Sequence, residues 1–570
     1  MRTIFSKFPF FVELLFNGFF IIFYSLNKVG RFSDLIRPDY VNFTLEVGAF
    51  LVPVIIFLTI VINYLLIEDF EQLLRKHLIS LLVFIPLVIS WGDIQFAFWL
   101  SAVHLISSFL SLYEYEEGNI KKFSFGFLEL KPAKIVFLSF ACLIGIGTFL
   151  LMLPASSAKL GSTIGFVDAL FVITSAACVT GLSTISVGND LSVFGQLVVL
   201  VVIQIGGLSI MTLYSSITVL LGKNLSTKER VLMQDLHDAV SLEELFEVIF
   251  NIVKYTFFIE LWGGIILTFA FSYEGFDFGY AMYLGFFHSI SAFCNAGFSV
   301  FDNNLENFNT IPLIHGTISI LIILGGIGFI VLKECWEAIF ERKPMYKFSL
   351  HSKIVLLTTF FLLLSGTVFI FFSEYLTTLE GYNLWEKLQI AWFQSVTLRT
   401  AGFSSIPLMN LQTPTIFVFI ILMAIGGSPG STAGGIKTTN FAILLQSIRT
   451  TLKGRRKVQM FDRILEPKDV IKAVSLVFLY GFLASTFLLV FISIETKIGF
   501  LPLLFEIISA FSTVGLTLGV TPLLSVSGKL LISLVMFVGR IGPLTFVLAV
   551  GERESGLPEA EYPTGRILLG

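Results

Sequence analysis

Four short stretches of this 570-residue chain repeat one pattern: SAACVTGLST (175–184), SAFCNAGFSV (291–300), VTLRTAGFSS (396–405) and SAFSTVGLTL (509–518). In each, a glycine is followed by Leu or Phe and then by Ser or Thr; the glycines are Gly181, Gly297, Gly402 and Gly515. Their surroundings repeat too. A long apolar segment comes first, then a shorter one (163–178, 279–294, 382–398, 501–512), then the glycine stretch, then another long apolar segment. A membrane span needs about 20 apolar residues, so the short segments read as half-helices that enter the bilayer and turn back. Irregular backbone at that depth is tolerated only where protein buries it or where it lines a water-filled cavity. A glycine that lets two helices approach closely explains one such position, but not four matched contexts.

Composition places these repeats in a bilayer. The chain is 55% hydrophobic and 14% charged, with a mean hydropathy of +0.88, whereas soluble proteins carry about 25% charged residues. The expected fold is an all-α polytopic membrane protein: four units of helix, pore half-helix and helix in a pseudo-fourfold arrangement around a cation pore. The expected divisions are 131–222, 223–342, 343–450 and 451–552 for the four repeats, and 553–570 for a cytoplasmic tail. Residues 1–130 form an extension with about four spans, near 8–26, 43–67, 77–91 and 94–113. No small-residue cleavage site follows the first apolar run, so it reads as a retained helix. The connections between repeats are basic, with Lys223, Lys228 and Arg230 in the first, Lys333, Arg342, Lys343, Lys347 and Lys353 in the second, and Arg449, Lys453, Arg455, Arg456, Lys457 and Arg463 in the third. The positive-inside rule puts these connections and both termini in the cytoplasm, and the glycine stretches toward the outside. Cys142, Cys178, Cys294 and Cys335 form no C-x-x-C pair, so neither a disulfide nor a zinc site is expected. A net charge of −3 argues against a nucleic-acid partner.

A half-helix aiming its C-terminal end at a central cavity directs the negative end of its dipole there, which favours a cation. Extended glycine segments can offer backbone carbonyls to a dehydrated ion. No ring of Asp or Glu accompanies the glycines, which favours a monovalent ion over calcium. The expected filter set is Val179, Thr180, Gly181 and Leu182; Asn295, Ala296, Gly297 and Phe298; Thr400, Ala401, Gly402 and Phe403; and Thr513, Val514, Gly515 and Leu516. One more stretch interrupts a hydrophobic run: GGSPGSTAGGIKTT, 426–439. Its glycines and proline cannot sustain a helix. It is not a phosphate-binding loop, because Ile436 stands where that motif needs its lysine.

With four such units in one chain, TVGLT in the fourth and GSTAGGIKTT in the third, residues 132–570 resemble the Trk/Ktr/HKT superfamily of potassium transporters. The resemblance implies a potassium pathway, with K⁺ as the transported ion, Na⁺ as a candidate coupling or activating ion, and no bound cofactor. It implies that the second helix of the third repeat is broken by a loop that gates the pathway beneath the filter. The matching positions are Gly426, Gly427, Ser428, Gly430, Ser431, Gly434, Gly435 and Lys437, together with Arg540 in the last span. The alternative for Arg540 is a salt bridge to Glu260. Arg399, beside a filter residue, is expected to brace the filter from behind, and His288 and Glu506 to form hydrogen bonds there. Gly181, rather than Ser, at the first filter position favours potassium over sodium. The short tail resembles that of Ktr-type membrane subunits, which implies a homodimer working with a cytosolic nucleotide-binding subunit like KtrA or TrkA. An intramembrane hydrolase is the rival reading, but the chain contains neither G-x-S-x-G nor H-E-x-x-H.

Overall fold

The computed structural model describes residues 132–159, 162–208, 242–340 and 344–543, with a few positions outside these stretches. Apart from a few positions such as Asn17 and Ser101, the spans expected before residue 114 lie outside the described residues, as do the connection carrying Lys223, Lys228 and Arg230 and the tail 553–570. The chain divides into two compact units. One comprises Met1–Gly126, Phe149–Phe166 and Asn189–Gln196; the other holds Phe127–Thr148, Val167–Gly188 and Leu197–Gly570. In the first unit, Ala158 N donates to Asp190 O (2.9 Å), Ser192 N to Ser156 O (2.9 Å) and Lys159 Nζ to Asp190 Oδ1 (3.0 Å).

The pattern of a helix, a short helix, a glycine stretch and a further helix occurs four times. The first set is α1 (Pro132–Met152), α2 (Phe166–Ala177) and α3 (Val193–Leu208). The second is α4 (Leu242–Tyr273), α5 (Phe278–Phe293), α6 (Pro312–Gly326) and α7 (Phe329–Phe340). The third is α8 (Leu350–Ser373), α9 (Leu384–Thr397), α10 (Thr413–Ala424) and α11 (Thr438–Leu452). The fourth is α12 (Pro467–Ile494), α13 (Phe500–Phe511) and α14 (Val526–Ile541). Among the described residues, strand is confined to a two-residue pair, β1 (Gln459–Met460) and β2 (Arg463–Ile464).

Local chemistry explains the helix starts. Asn383 and Glu386 form a reciprocal capping box on α9, and the side chains of Asp277, Ser349 and Ser525 cap α5, α8 and α14. Proline opens α6, α10 and α12, where its missing N–H costs nothing. The 24 residues of α8 rise about 36 Å, enough to cross a bilayer core. The short helices have 12, 16, 14 and 12 residues and fall short of that length.

Lipid offers no hydrophobic drive between helices, so close contact at small residues holds these elements together. Gly206 on α3, Gly325 on α6 and Gly539 on α14 press onto the backbone carbonyls of Ala177, Phe293 and Phe511, the last residues of α2, α5 and α13. A Cβ at any of these glycines would strike that carbonyl. The second helix of each of these repeats is thereby seated directly under its own short helix. In the third repeat a loop, 425–437, separates α10 from α11.

A second break was not expected from the sequence. The helices α6 and α7 meet at 114° across Ile327 and Gly328, where Gly328 takes φ +93°. The signal was present in GGIGF (325–329), where Gly328 permits the positive φ of the bend.

Candidate functional site

Each glycine stretch leaves its short helix through the same backbone geometry. The residue two before the glycine is left-handed: Val179 (φ 56°), Asn295 (59°), Thr400 (65°) and Thr513 (53°). The glycines follow with φ of 103°, 68°, 79° and 94°. A β-branched residue at positive φ is an outlier. Three of them in equivalent positions are strain that the surroundings must enforce.

Hydrogen bonds supply the enforcement. Thr180 N, Ala296 N and Val514 N donate back to Ser175 O (2.8 Å), Ser291 O (2.7 Å) and Ser509 O (2.8 Å); in the third repeat Ala401 N donates to Thr397 O (3.0 Å). Gly181 N and Gly515 N donate to the hydroxyls of Ser175 (3.0 Å) and Ser509 (3.1 Å). In a planar trans peptide the carbonyl points opposite to the N–H. N–H groups turned back to the short helix therefore turn the preceding carbonyls away from it. The hydroxyls of Ser291, Thr397 and Ser509 then donate to Phe298 O (2.7 Å), Phe403 O (2.7 Å) and Leu516 O (2.6 Å), which fixes the next step.

The four stretches close into a ring. A Cβ added at Gly181 would lie 2.5 Å from Ala296 O, at Gly297 2.6 Å from Ala401 O, and at Gly402 2.5 Å from Val514 O. A Cβ at Gly515 would strike Thr180 O. Each glycine faces the carbonyl of the residue before the next repeat's glycine, and the cycle returns to its start. Thr180, Val514, Ala296 and Ala401 are wholly buried or nearly so.

Behind the ring, three short helices send a polar side chain to a hydroxyl beyond the glycine. His288 Nδ1 donates to Leu284 O (2.8 Å), which leaves Nε2 to accept from Ser299 Oγ (2.9 Å). Gln394 Nε2 donates to Ser405 Oγ (3.1 Å). Glu506 accepts from Thr517 Oγ1 (2.8 Å) and from Thr521 Oγ1. His288 and Glu506 thus form hydrogen bonds to the segments after Gly297 and Gly515; Gln394 was missed, and its signal is its place eight residues before Gly402.

The loop between α10 and α11 lies against this assembly. It closes on itself through Gly426 N to Ile436 O (3.0 Å), Ile436 N to Ala424 O (3.0 Å) and the Ser428–Thr438 hydroxyl pair (2.9 Å). It is tied to α6 by Ser428 N to Gly326 O (3.0 Å) and Thr432 Oγ1 to Gly325 O (3.1 Å), and to the end of α5 by Thr432 Oγ1 to Phe293 O (3.3 Å). Phe329 N at the start of α7 donates to Gly430 O (3.0 Å), so the second helix break receives the loop. A Cβ at Gly434 would meet Ser512 O at 2.7 Å.

Three cationic side chains hold loop carbonyls. Arg540 donates to Thr432 O, and to Gly206 O on α3 (2.5 Å). Lys437 Nζ donates to Ala433 O (2.6 Å). Arg399 Nη2 donates to Gly426 O (3.1 Å), so its guanidinium reaches the loop as well as standing beside the ring. Glu260, the alternative partner of Arg540, instead accepts from Gln204 Nε2 (3.1 Å). A cavity of about 410 Å³ borders the loop, lined among others by Gly434, Gly435, Lys437, Tyr480 and Arg540.

Comparison with known proteins places the chain in a family. The family model for TrkH, a cation transport protein, matches residues 124–557. The chain is 36% identical over 447 residues to the Ktr system potassium uptake protein B of Bacillus subtilis (strain 168), covering 78% of this chain and 98% of that protein. It is 36% identical over 454 residues to the potassium/sodium uptake protein NtpJ of Enterococcus hirae, again covering 78% and 98%. The crystal structure of the potassium transporter TrkH from Vibrio parahaemolyticus superposes with a TM-score of 0.60 at 18% identity, covering 84% of this chain and 97% of that one, which shows a shared fold. The family match spans most of the chain, and the chain belongs to the TrkH family of cation transport proteins.

Proposed function

We propose that the glycine ring is the selectivity filter of a potassium uptake pathway across the cytoplasmic membrane, and that the loop at 425–437 with Arg540 is its gate. The closed cycle of glycine-to-carbonyl approaches carries the reading. Carbonyls of the two residues before each glycine turn inward as two layers of oxygens that replace the hydration shell of a cation. The left-handed turns at Val179, Asn295, Thr400 and Thr513 fix the layers, so an ion meets a cage that needs little reorganisation. Potassium is the ion because relatives named for potassium uptake match over 98% of their own length, and the lack of a carboxylate in the ring favours a monovalent cation.

The gate follows from the same geometry. The loop packs against residues at the ends of α5 and α13, and the cavity beside it serves as the inner vestibule. Arg540 adds positive charge where a cation must pass, and the low dielectric of a buried site strengthens that barrier. Opening moves the loop and carries Thr432 O away from Arg540. The chain acts as the membrane subunit of a homodimeric system, with both termini cytoplasmic and a cytosolic nucleotide-binding regulatory subunit; the Ktr-named relatives and the basic inter-repeat connections support this.

The test is rubidium or potassium flux into liposomes holding the purified chain. Removing several residues between Ser428 and Gly435 raises flux and leaves the potassium-to-sodium ratio in place. Arg540→Ala acts in the same direction, more weakly. Flux no faster than the parent in both, at equal protein abundance, refutes the gate. A collapsed ratio at unchanged flux reassigns the loop to the filter.

A further inference from the structure

The proposed gate loop rests on two of the four short helices. Thr432 Oγ1 donates to Phe293 O at the end of α5 (3.3 Å), and Gly434 abuts Ser512 O just past α13. The residues that follow or form these contact points, Cys294 and Ser512, each lie three positions before a ring glycine. Both are wholly buried, and both face a polar side chain from the first helix of their own repeat.

On the second repeat that side chain is Glu260 of α4. Its Oε2 accepts from Gln204 Nε2 on α3 (3.1 Å), and Cys294 Sγ stands 3.8 Å from its Oε1 and 3.7 Å from Gln204 Oε1. The Glu260 backbone carbonyl also accepts from Ser289 Oγ on α5 (2.7 Å). On the fourth repeat it is Tyr480 of α12. Its hydroxyl lies 2.6 Å from Ser512 Oγ, and its ring packs at 4.8 Å on Phe511. Glu260 and Tyr480 are 4% and 6% exposed. They occupy corresponding places, 37 and 35 residues before Gly297 and Gly515. Polar groups buried at membrane depth are expensive to keep, and packing alone does not require a carboxylate or a phenol there.

We propose that Glu260 and Tyr480 are positioning residues that hold the seat of the gate loop. Each fastens the C-terminal end of a short helix to an outer helix at the residue on which, or beside which, the loop rests. Releasing either fastening lets that end turn or shift outward, and the loop loses a support. The ring itself keeps its own bonds, through Ser291 to Phe298 O and Ser509 to Leu516 O, so selectivity stays. The first and third repeats supply the other anchors: Gly206 O takes Arg540, and Arg399 holds Gly426 O. The inference rests on the gate reading.

The experiment uses the full chain in liposomes with rubidium as probe, alongside the loop-shortened variant. Tyr480→Phe removes one hydroxyl and keeps the ring, so folding is preserved. It raises resting flux several-fold, Ser512→Ala does the same, and the double variant exceeds neither. Glu260→Leu also raises flux, whereas Glu260→Gln, which keeps an oxygen for Gln204, restores most of the parent's closure. Adding Tyr480→Phe to the loop-shortened chain changes nothing further. The potassium-to-sodium ratio stays at the parent's value throughout. Parental flux in Tyr480→Phe and Glu260→Leu, in a protein whose shortened loop does raise flux, overturns the seat and leaves the gate. Additive effects of Tyr480→Phe and Ser512→Ala overturn their pairing. No rise on shortening the loop overturns the gate and the seat together.

Discussion

Gly297→Ala separates the ring from ordinary glycine packing. Its φ of +68° lies in the left-handed region, where alanine pays about 1–2 kcal/mol. The larger effect is steric. The new Cβ falls 2.6 Å from Ala401 O, 2.7 Å from Gly402 Cα and 2.9 Å from Gly402 C, all backbone of the next repeat. Ordinary contact begins at 3.4 Å, so the third repeat's stretch has to retreat by about 0.8 Å. No flexible side chain absorbs that shift, because Ala401, Gly402 and their neighbours are buried and held by Ala401 N to Thr397 O. A carbonyl layer displaced on this scale no longer fits one ion over another, and a tenfold loss of discrimination needs only about 1.4 kcal/mol. The expected result is a potassium-to-sodium flux ratio in liposomes at least tenfold below the parent's. Gly316→Ala in α6 is the control, since a Cβ there meets nothing within 4 Å. Alanine in a helix interior is favoured by roughly 0.5–1 kcal/mol, so the control keeps its ratio and melts no lower than the parent. A parental ratio in folded Gly297→Ala would refute the reasoning.

Two further predictions concern helix ends away from the ring. Burial pushes the Glu374 carboxyl up, but hydrogen bonds from the Thr377, Thr415 and Thr378 hydroxyls and from Gln412 N outweigh it and hold Glu374 below the usual carboxylate range. A lowered carboxyl stabilises the fold above the ordinary glutamate value, near 4.3, and loses that contribution as pH falls through its own lower pKa. Glu374→Gln therefore melts below the parent at neutral pH, and the gap narrows at acid pH; a gap constant across the range contradicts this. The Lys529–Asp168 pair (2.7 Å) links the fourth repeat's second helix to the first turn of α2, with side chains 17% and 31% exposed. Partial exposure limits its coupling to about 1 kcal/mol or less. A double-mutant cycle with Asp168→Asn and Lys529→Gln, read by melting in low and high salt, should give a small coupling that salt reduces. A coupling of several kcal/mol insensitive to salt would show a desolvated pair instead.

Much of this protein is written locally in its chain. The glycine stretches, the short apolar segments before them and the interrupted run at 426–439 are patterns of a few residues. Segment length and the poor helix propensity of glycine and proline follow from covalent chemistry alone, so the four short helices and the break between α10 and α11 were legible. Partnerships across hundreds of residues were not. Nothing near Arg540 in sequence says that it bonds Thr432 O and Gly206 O rather than Glu260, and nothing near Arg399 names Gly426 O. A guanidinium can donate to a carboxylate or to a carbonyl, so its partner is decided by which acceptor the fold brings within reach. The 114° turn at Gly328 is intermediate: the glycines permitted it, and Phe329 N to Gly430 O fixed its use. The order of the ring is wholly tertiary. Each glycine is needed because a carbonyl from the next repeat occupies the space of its missing side chain, and only closure of four repeats around one axis puts that carbonyl there.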